Sequence, residues 1–196
     1  MIVDFHTHNA ITAENVLVPR SFGFHPWHLQ GLEQLGEPVD ADDVDLIGEC
    51  GLDRCCATPW DLQQEAFIWH LQLAERLRKP VVVHCVRAYN ELVDLRRQGR
   101  WEMPWVVHGF VGSPQLALLL QQWGIGVSFG AAITDPRRTK PRESLRTLGL
   151  GNFFLETDTS PVGIGAVYSA AAAILDCDTK LLEDTINTQL TALLRQ

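Results

Sequence analysis

Two histidines one residue apart close the first apolar run of the chain, in Asp4-Phe5-His6-Thr7-His8. The two-residue period of a strand turns both imidazoles to one side, where they can share a metal ion. Paired histidines this close also arise by chance, so the motif alone is weak. It gains weight by recurrence: Glu49, His84, His108 and Asp158 each fall at or just after the end of another apolar run, in Ile47-Gly48-Glu49, Val83-His84, Val107-His108 and Leu155-Glu156-Thr157-Asp158. Packing alone gives no reason to put a carboxylate or imidazole at every such end. Four imidazoles and two carboxylates suit two divalent ions of the zinc, manganese or cobalt kind, with magnesium less natural because it prefers oxygen ligands. Two ions ~3.5 to 4 Å apart can share a bridging carboxylate and activate a water, and the chemistry this suits is hydrolysis. Asp158 is the candidate general base as well as a ligand. Its bland reading is a cap for a helix starting near Ser160-Pro161.

These groups need a scaffold that gathers strand ends. Short β-branched runs alternate with segments of helical period, the pattern of a parallel sheet covered by helices. The expected strands are 2–5, 44–49, 80–84, 105–108, 126–129 and 153–156, with a less distinct one between Asn15 and Phe24. The expected helices are 61–78, 87–97 and 114–123, then two from Ser160 onward broken near Asp176 to Asp178. From Glu49 to His84 is 35 residues, from His84 to His108 is 24, and from His108 to Asp158 is 50, two steps of 25. Each step is close to one βα unit of a (β/α) barrel, which at roughly 250 residues over eight units takes ~30. In that fold the strand C-termini converge on one face, so residues far apart in sequence meet.

The 196 residues, 46% of them hydrophobic, suffice for one sizeable core, and a single domain over 1–196 is expected. A net charge of −8 disfavours broad phosphate-neutralising contacts, so any nucleic acid must be gripped locally, by metal ions or a few arginines. No apolar run approaches the roughly 20 residues needed to cross a bilayer, and no export by an obvious signal is expected. Five cysteines without a C-x-x-C pair fit reduced thiols. The expected location is the cytoplasm, with no membrane partner and no obligate protein partner.

The runs His6-Thr7-His8, Gly23-Phe24-His25-Pro26, Gly48-Glu49-Cys50-Gly51-Leu52-Asp53, His84-Cys85, His108-Gly109-Phe110-Val111-Gly112, Ser128-Phe129-Gly130 and Glu156-Thr157-Asp158 together resemble the TatD family of metal-dependent hydrolases, in the same order and over nearly the whole chain. The resemblance implies a TIM-type barrel of the amidohydrolase kind, divalent-metal phosphodiesterase chemistry, and deoxyribonuclease activity in several members. It also implies that His6, His8 and Asp158 hold one ion and His84 and His108 the other, with Glu49 bridging them. This chain departs from the family at three places. Only 16 residues separate His8 from His25, where the family fits a helix and another strand, so a shortened barrel of seven strands, or one open between its first two, is expected. Trp27 stands where the family often has a second histidine, with His28 beyond it. Val86 stands where an arginine is common, and Arg87 follows.

Around the six ligands, His25 and Arg87 are the candidates for substrate contact, Arg87 through its planar donor fork. Arg54 is a weaker candidate for the same task, and Trp27 and Trp60 could stack a base. His70, in mid-helix, is expected in solvent, and Arg137-Arg138-Thr139-Lys140 reads as a solvated basic loop. The expected activity is hydrolysis of phosphoester bonds, in a small phosphodiester or at a nucleic-acid end, with two divalent metal ions as cofactors. The alternative is hydrolysis of an amide, lactone or cyclic amide, since the same ligands polarise a carbonyl equally well. A non-catalytic metal-binding protein is the weaker reading, because structural sites use up their coordination positions.

Overall fold

In a computed structural model the described residues are 1–10, 14–99 and 101–195. They form two compact units, one of Met1–Pro19 with His108–Arg195 and the other of Arg20–Val107.

In the second unit four parallel strands lie in sequence order, β3 (Ser21–Phe22), β4 (Leu46–Asp53), β5 (Val81–Val86) and β6 (Trp105–Val107). All eight residues of β4 are buried, as expected of an interior parallel strand. Between Ile47↔Val81 and Cys50↔Val83 the register slips by one residue, a β-bulge that contains Gly48 and Glu49. Gly48 has φ +127, and a Cβ there would lie 2.2 Å from the Val82 carbonyl oxygen. Only glycine lets the strands close on each other around this bulge. Helix α1 (Trp60–Leu77) packs on β4. Its buried Gln63, Ala66, Phe67, His70, Leu71 and Ala74 follow the i, i+3, i+4, i+7 spacing of a core-facing stripe. Helix α2 is Tyr89–Gln98.

In the first unit β1 (Ile2–Val3) pairs in parallel with β2 (Val16–Leu17), and β7 (Ile125–Phe129) with β8 (Phe154–Leu155). The chain beyond β1 runs beside β8: the Phe5 N–H donates to the Leu155 carbonyl, Asp158 N–H to His6, and His8 N–H to Asp158. Helices α3 (Pro114–Gln122), α4 (Thr139–Leu148), α5 (Ile164–Leu175) and α6 (Thr179–Leu194) belong to this unit, and Tyr168 on α5 donates its hydroxyl to the Val3 carbonyl. Phe5, Phe129, Phe153 and Ile186 form part of its core.

Three expectations are corrected. Among the described residues eight strand segments are present where seven were expected, because the one strand foreseen between Asn15 and Phe24 is two, β2 and β3. Two-residue strands carry too little alternation to be separated by pattern, and only Val18-Pro19-Arg20 lies between them. The basic stretch is not simply a loop: Thr139 and Lys140 open α4, whose Pro141 is tolerated in the first turn, and Leu145 and Leu148 bury its inner face. Arg137, just ahead, pairs with Asp135 at 3.0 Å.

His70 is fully buried rather than solvated. Its Nε2 accepts the Phe24 N–H at 2.9 Å and its Nδ1 lies 2.6 Å from the Ala66 carbonyl, so the ring is neutral with the proton on Nδ1. Burial pushes its pKa down from 6.5 to about 4, against the pull of the Ala66 carbonyl. Between those values the unfolded chain takes up a proton that the folded one refuses, so stability falls as pH drops from 6.5 towards 4. At about 1.4 kcal/mol per pH unit the loss approaches roughly 3 kcal/mol over the window. Urea unfolding at pH 7 and pH 5 checks this. His70→Gln should flatten the dependence, and an unchanged dependence in that variant would show that His70 does not cause it.

Candidate metal centre

In the first unit, His6 and His8 leave the end of β1 with ring centroids 4.9 Å apart. Asp158 faces them, its carboxylate 3.8 Å from His8 Nε2. One donor atom from each of His6, His8 and Asp158 lies within 4.8 Å of the other two. Asp158 sits at φ +50, a conformation that aspartate tolerates better than most residues. Its backbone is fixed by the Asp158 N–H to His6 and by the His8 N–H and Thr7 hydroxyl donated to its carbonyl. Asp4 holds the turn from behind, accepting the Thr157 N–H at 2.9 Å and the Thr157 hydroxyl at 2.7 Å. Burial raises the Asp4 pKa, opposed by those two hydrogen bonds. His108 packs against His6 at 4.7 Å between centroids, and its Nδ1 lies 3.4 Å from Oε1 of the fully buried Glu156. The same oxygen accepts the Gly109 N–H at 2.6 Å.

In the second unit, Glu49 is directed by the β4 bulge and is almost wholly buried. Its Oε1 lies 3.0 Å from His25 Nε2 and 2.9 Å from His84 Nδ1. His25 Nδ1 accepts the Trp27 N–H at 3.1 Å, which leaves the ring proton on Nε2 to donate to Glu49. His84 Nε2 lies 3.0 Å from Asp53 Oδ2. Burial pushes the Asp53 pKa up, but hydrogen bonds from His84, Trp27 and the Cys55 N–H outweigh it and hold the carboxyl below its ordinary range. An ionised Asp53 needs the His84 proton on Nε2. A cation between His84 and Glu49 would then meet the Nδ1 lone pair and the carboxylate together. Donor atoms of His25, Glu49 and His84 lie within 4.8 Å of one another. Each group of imidazoles and carboxylate fits a zinc, manganese or cobalt ion.

Five of the six sequence-derived ligands fall in these two clusters and His108 lies against His6, although β4 runs four residues beyond Glu49 and β5 two beyond His84. His25 is closer to the chemistry than a substrate contact requires, since it touches Glu49 itself. Arg87 is exposed, at φ +52 between β5 and α2. Arg54 pairs with Glu91 and lies over the Trp60 ring at 4.1 Å, so both are engaged with their own surface. The sequence reading missed Asp53 and Glu156, the carboxylates beside His84 and His108. Both stood in quoted runs, and the available signal was that a ligating histidine usually gives its second nitrogen to a carboxylate.

Parallel strands alternating with helices are the build of a TIM barrel of the amidohydrolase kind, and solved structures bear out that fold. The TatD homologue YjjV from Escherichia coli superposes with a TM-score of 0.74 at 23% identity, covering 94% of this chain and 79% of that one. The chain belongs to the TatD related DNase family, whose profile matches residues 4–171. Among curated relatives, the uncharacterized metal-dependent hydrolase YjjV of E. coli is 35% identical over 152 residues, covering 70% of this chain and 56% of that protein. The 3'-5' ssDNA/RNA exonuclease TatD of Rahnella is 33% identical over 144 residues, covering 69% and 55%. The chain thus spans little more than half the length of these relatives. Among the described residues no helix is long and apolar enough to cross a membrane.

Proposed function

We propose that residues 1–196 act as one metal-dependent phosphodiesterase domain whose substrate is a small phosphodiester or a nucleic-acid end. His6, His8, Glu49, His84, His108 and Asp158 would hold two divalent ions of the zinc, manganese, cobalt or magnesium kind, Glu49 serving both. The observation that carries this reading is the pair of three-residue donor clusters, His6/His8/Asp158 and His25/Glu49/His84, in a chain of the TatD family. Bound divalent ions would supply Lewis-acid polarisation of the phosphoryl group and lower the pKa of water. Asp158, with its side chain 37% exposed, accepts the proton of the attacking water. Glu49 is oriented by the His25 N–H, 3.0 Å from its Oε1. Arg87 meets a substrate phosphate with its fork of donors.

The relatives named as a ssDNA/RNA exonuclease and as an RNA nuclease favour phosphoester over amide cleavage. The acidic charge favours a short end over a long duplex, because few phosphates can be neutralised. A panel of bis-aryl phosphate esters, dinucleotides, single-stranded oligonucleotides and cyclic amides, assayed with each metal, tests the proposal. Turnover of the phosphodiesters is expected. Turnover of the cyclic amides alone would sink it.

A further inference from the structure

Asp53 is 2% exposed and held at every polar atom. Its Oδ1 accepts the Cys55 N–H at 2.6 Å. Its backbone N–H donates to Gln63 Oε1 at 2.7 Å, and its carbonyl accepts from Gln63 Nε2 at 3.0 Å. The remaining oxygen, Oδ2, accepts the Trp27 indole N–H at 2.6 Å and lies 3.0 Å from His84 Nε2. One oxygen thus joins the indole of the exposed Trp27 to a buried imidazole on β5. The Trp27 ring stands edge to face with His84 at 5.7 Å and with His25 at 5.0 Å. A tryptophan that is 58% exposed normally wets its N–H, and here that donor is spent on a buried carboxylate.

We infer that Trp27 and Asp53 are positioning residues for His84. Asp53 keeps the His84 proton on Nε2 and raises the basicity of Nδ1, and the indole N–H fixes which way the carboxylate points. The inference rests on the proposed metal role of His84. It ties Trp27, found where the family often has a histidine, to metal affinity rather than to the surface.

The test is calorimetric titration of the metal-free full chain with Zn²⁺, and separately with Mn²⁺, for wild type, Asp53→Asn and Trp27→Phe. Thermal unfolding of each metal-free protein is recorded alongside. Asp53→Asn should weaken one class of site by about 10- to 100-fold, the usual effect of losing such a partner. Trp27→Phe keeps the ring and loses only the N–H, so it should weaken the same class by a smaller factor while the metal-free unfolding temperature stays near wild type. If Asp53→Asn does not fold, Trp27→Phe alone decides. Wild-type affinity in both variants would overturn the inference, as would a fall in unfolding temperature with affinity unchanged. A wild-type chain that binds neither ion would instead overturn the metal reading beneath it.

Discussion

Asp158→Asn is expected to lower kcat on the best phosphodiester substrate by ~10² to 10⁴-fold, the usual contribution of a positioned proton acceptor. The substitution is chosen so that the backbone does not confound the result. Asparagine, like aspartate, is at home at positive φ, and the residue is at φ +50. The N–H to His6 and the carbonyl that accepts from His8 and Thr7 are both kept. What changes is that a neutral amide ligates more weakly and cannot take a proton at working pH. Loss of binding from the His6 and His8 side would add to the fall in rate. Asp158 shares no cluster with His84, so the ion held there should stay. Steady-state kinetics with metal analysis of the same preparation checks both points. Near wild-type kcat with unaltered metal content would mean that another group activates the water.

The site was more legible in the sequence than the fold details around it, and the reasons are physical. His6, His8, Glu49, His84, His108 and Asp158 stand out because a parallel strand buried on both faces has no use for a charged or imidazole side chain unless it meets another such group. The long interior strands β4, β5 and β7 and helix α1 are dense enough in apolar residues to show their period. Strands β2 and β3, two residues each, are not. Helix α4 was hidden because Arg137 to Glu143 is mostly charged and its buried face rests on few residues, Pro141, Ser144, Leu145 and Leu148. His70 was misplaced by reading its type instead of its position. It falls on the stripe of Phe67, Leu71 and Ala74, and the acceptor it offers Phe24 N–H is visible only once the second unit is folded. Trp27 was weighed as a stacking platform, and its indole N–H is instead committed to Asp53. No local rule links residues 27, 53 and 84, because their meeting depends on the order of strands in the sheet.

The largest effect is expected from removing the metal. If Asp158 and Glu49 act only together with bound ions, chelation should reduce turnover to background, while the fold, built on cores such as Phe67, Trp105 and Val82 in one unit and Phe5, Phe129 and Tyr168 in the other, should persist. Substrate binding and proton acceptance alone leave the phosphoryl group unpolarised, and the water at its ordinary pKa. The direct measurement is to strip the chain, confirm that its circular dichroism is retained, and titrate Zn²⁺ or Mn²⁺ back while recording bound metal and phosphodiester hydrolysis together. Activity should rise with bound metal and level off at about two ions per chain. A chain that holds no more than a trace of metal at neutral pH, or hydrolyses phosphodiesters equally well without it, would contradict the assignment of His6, His8, Glu49, His84, His108 and Asp158 as a dinuclear centre.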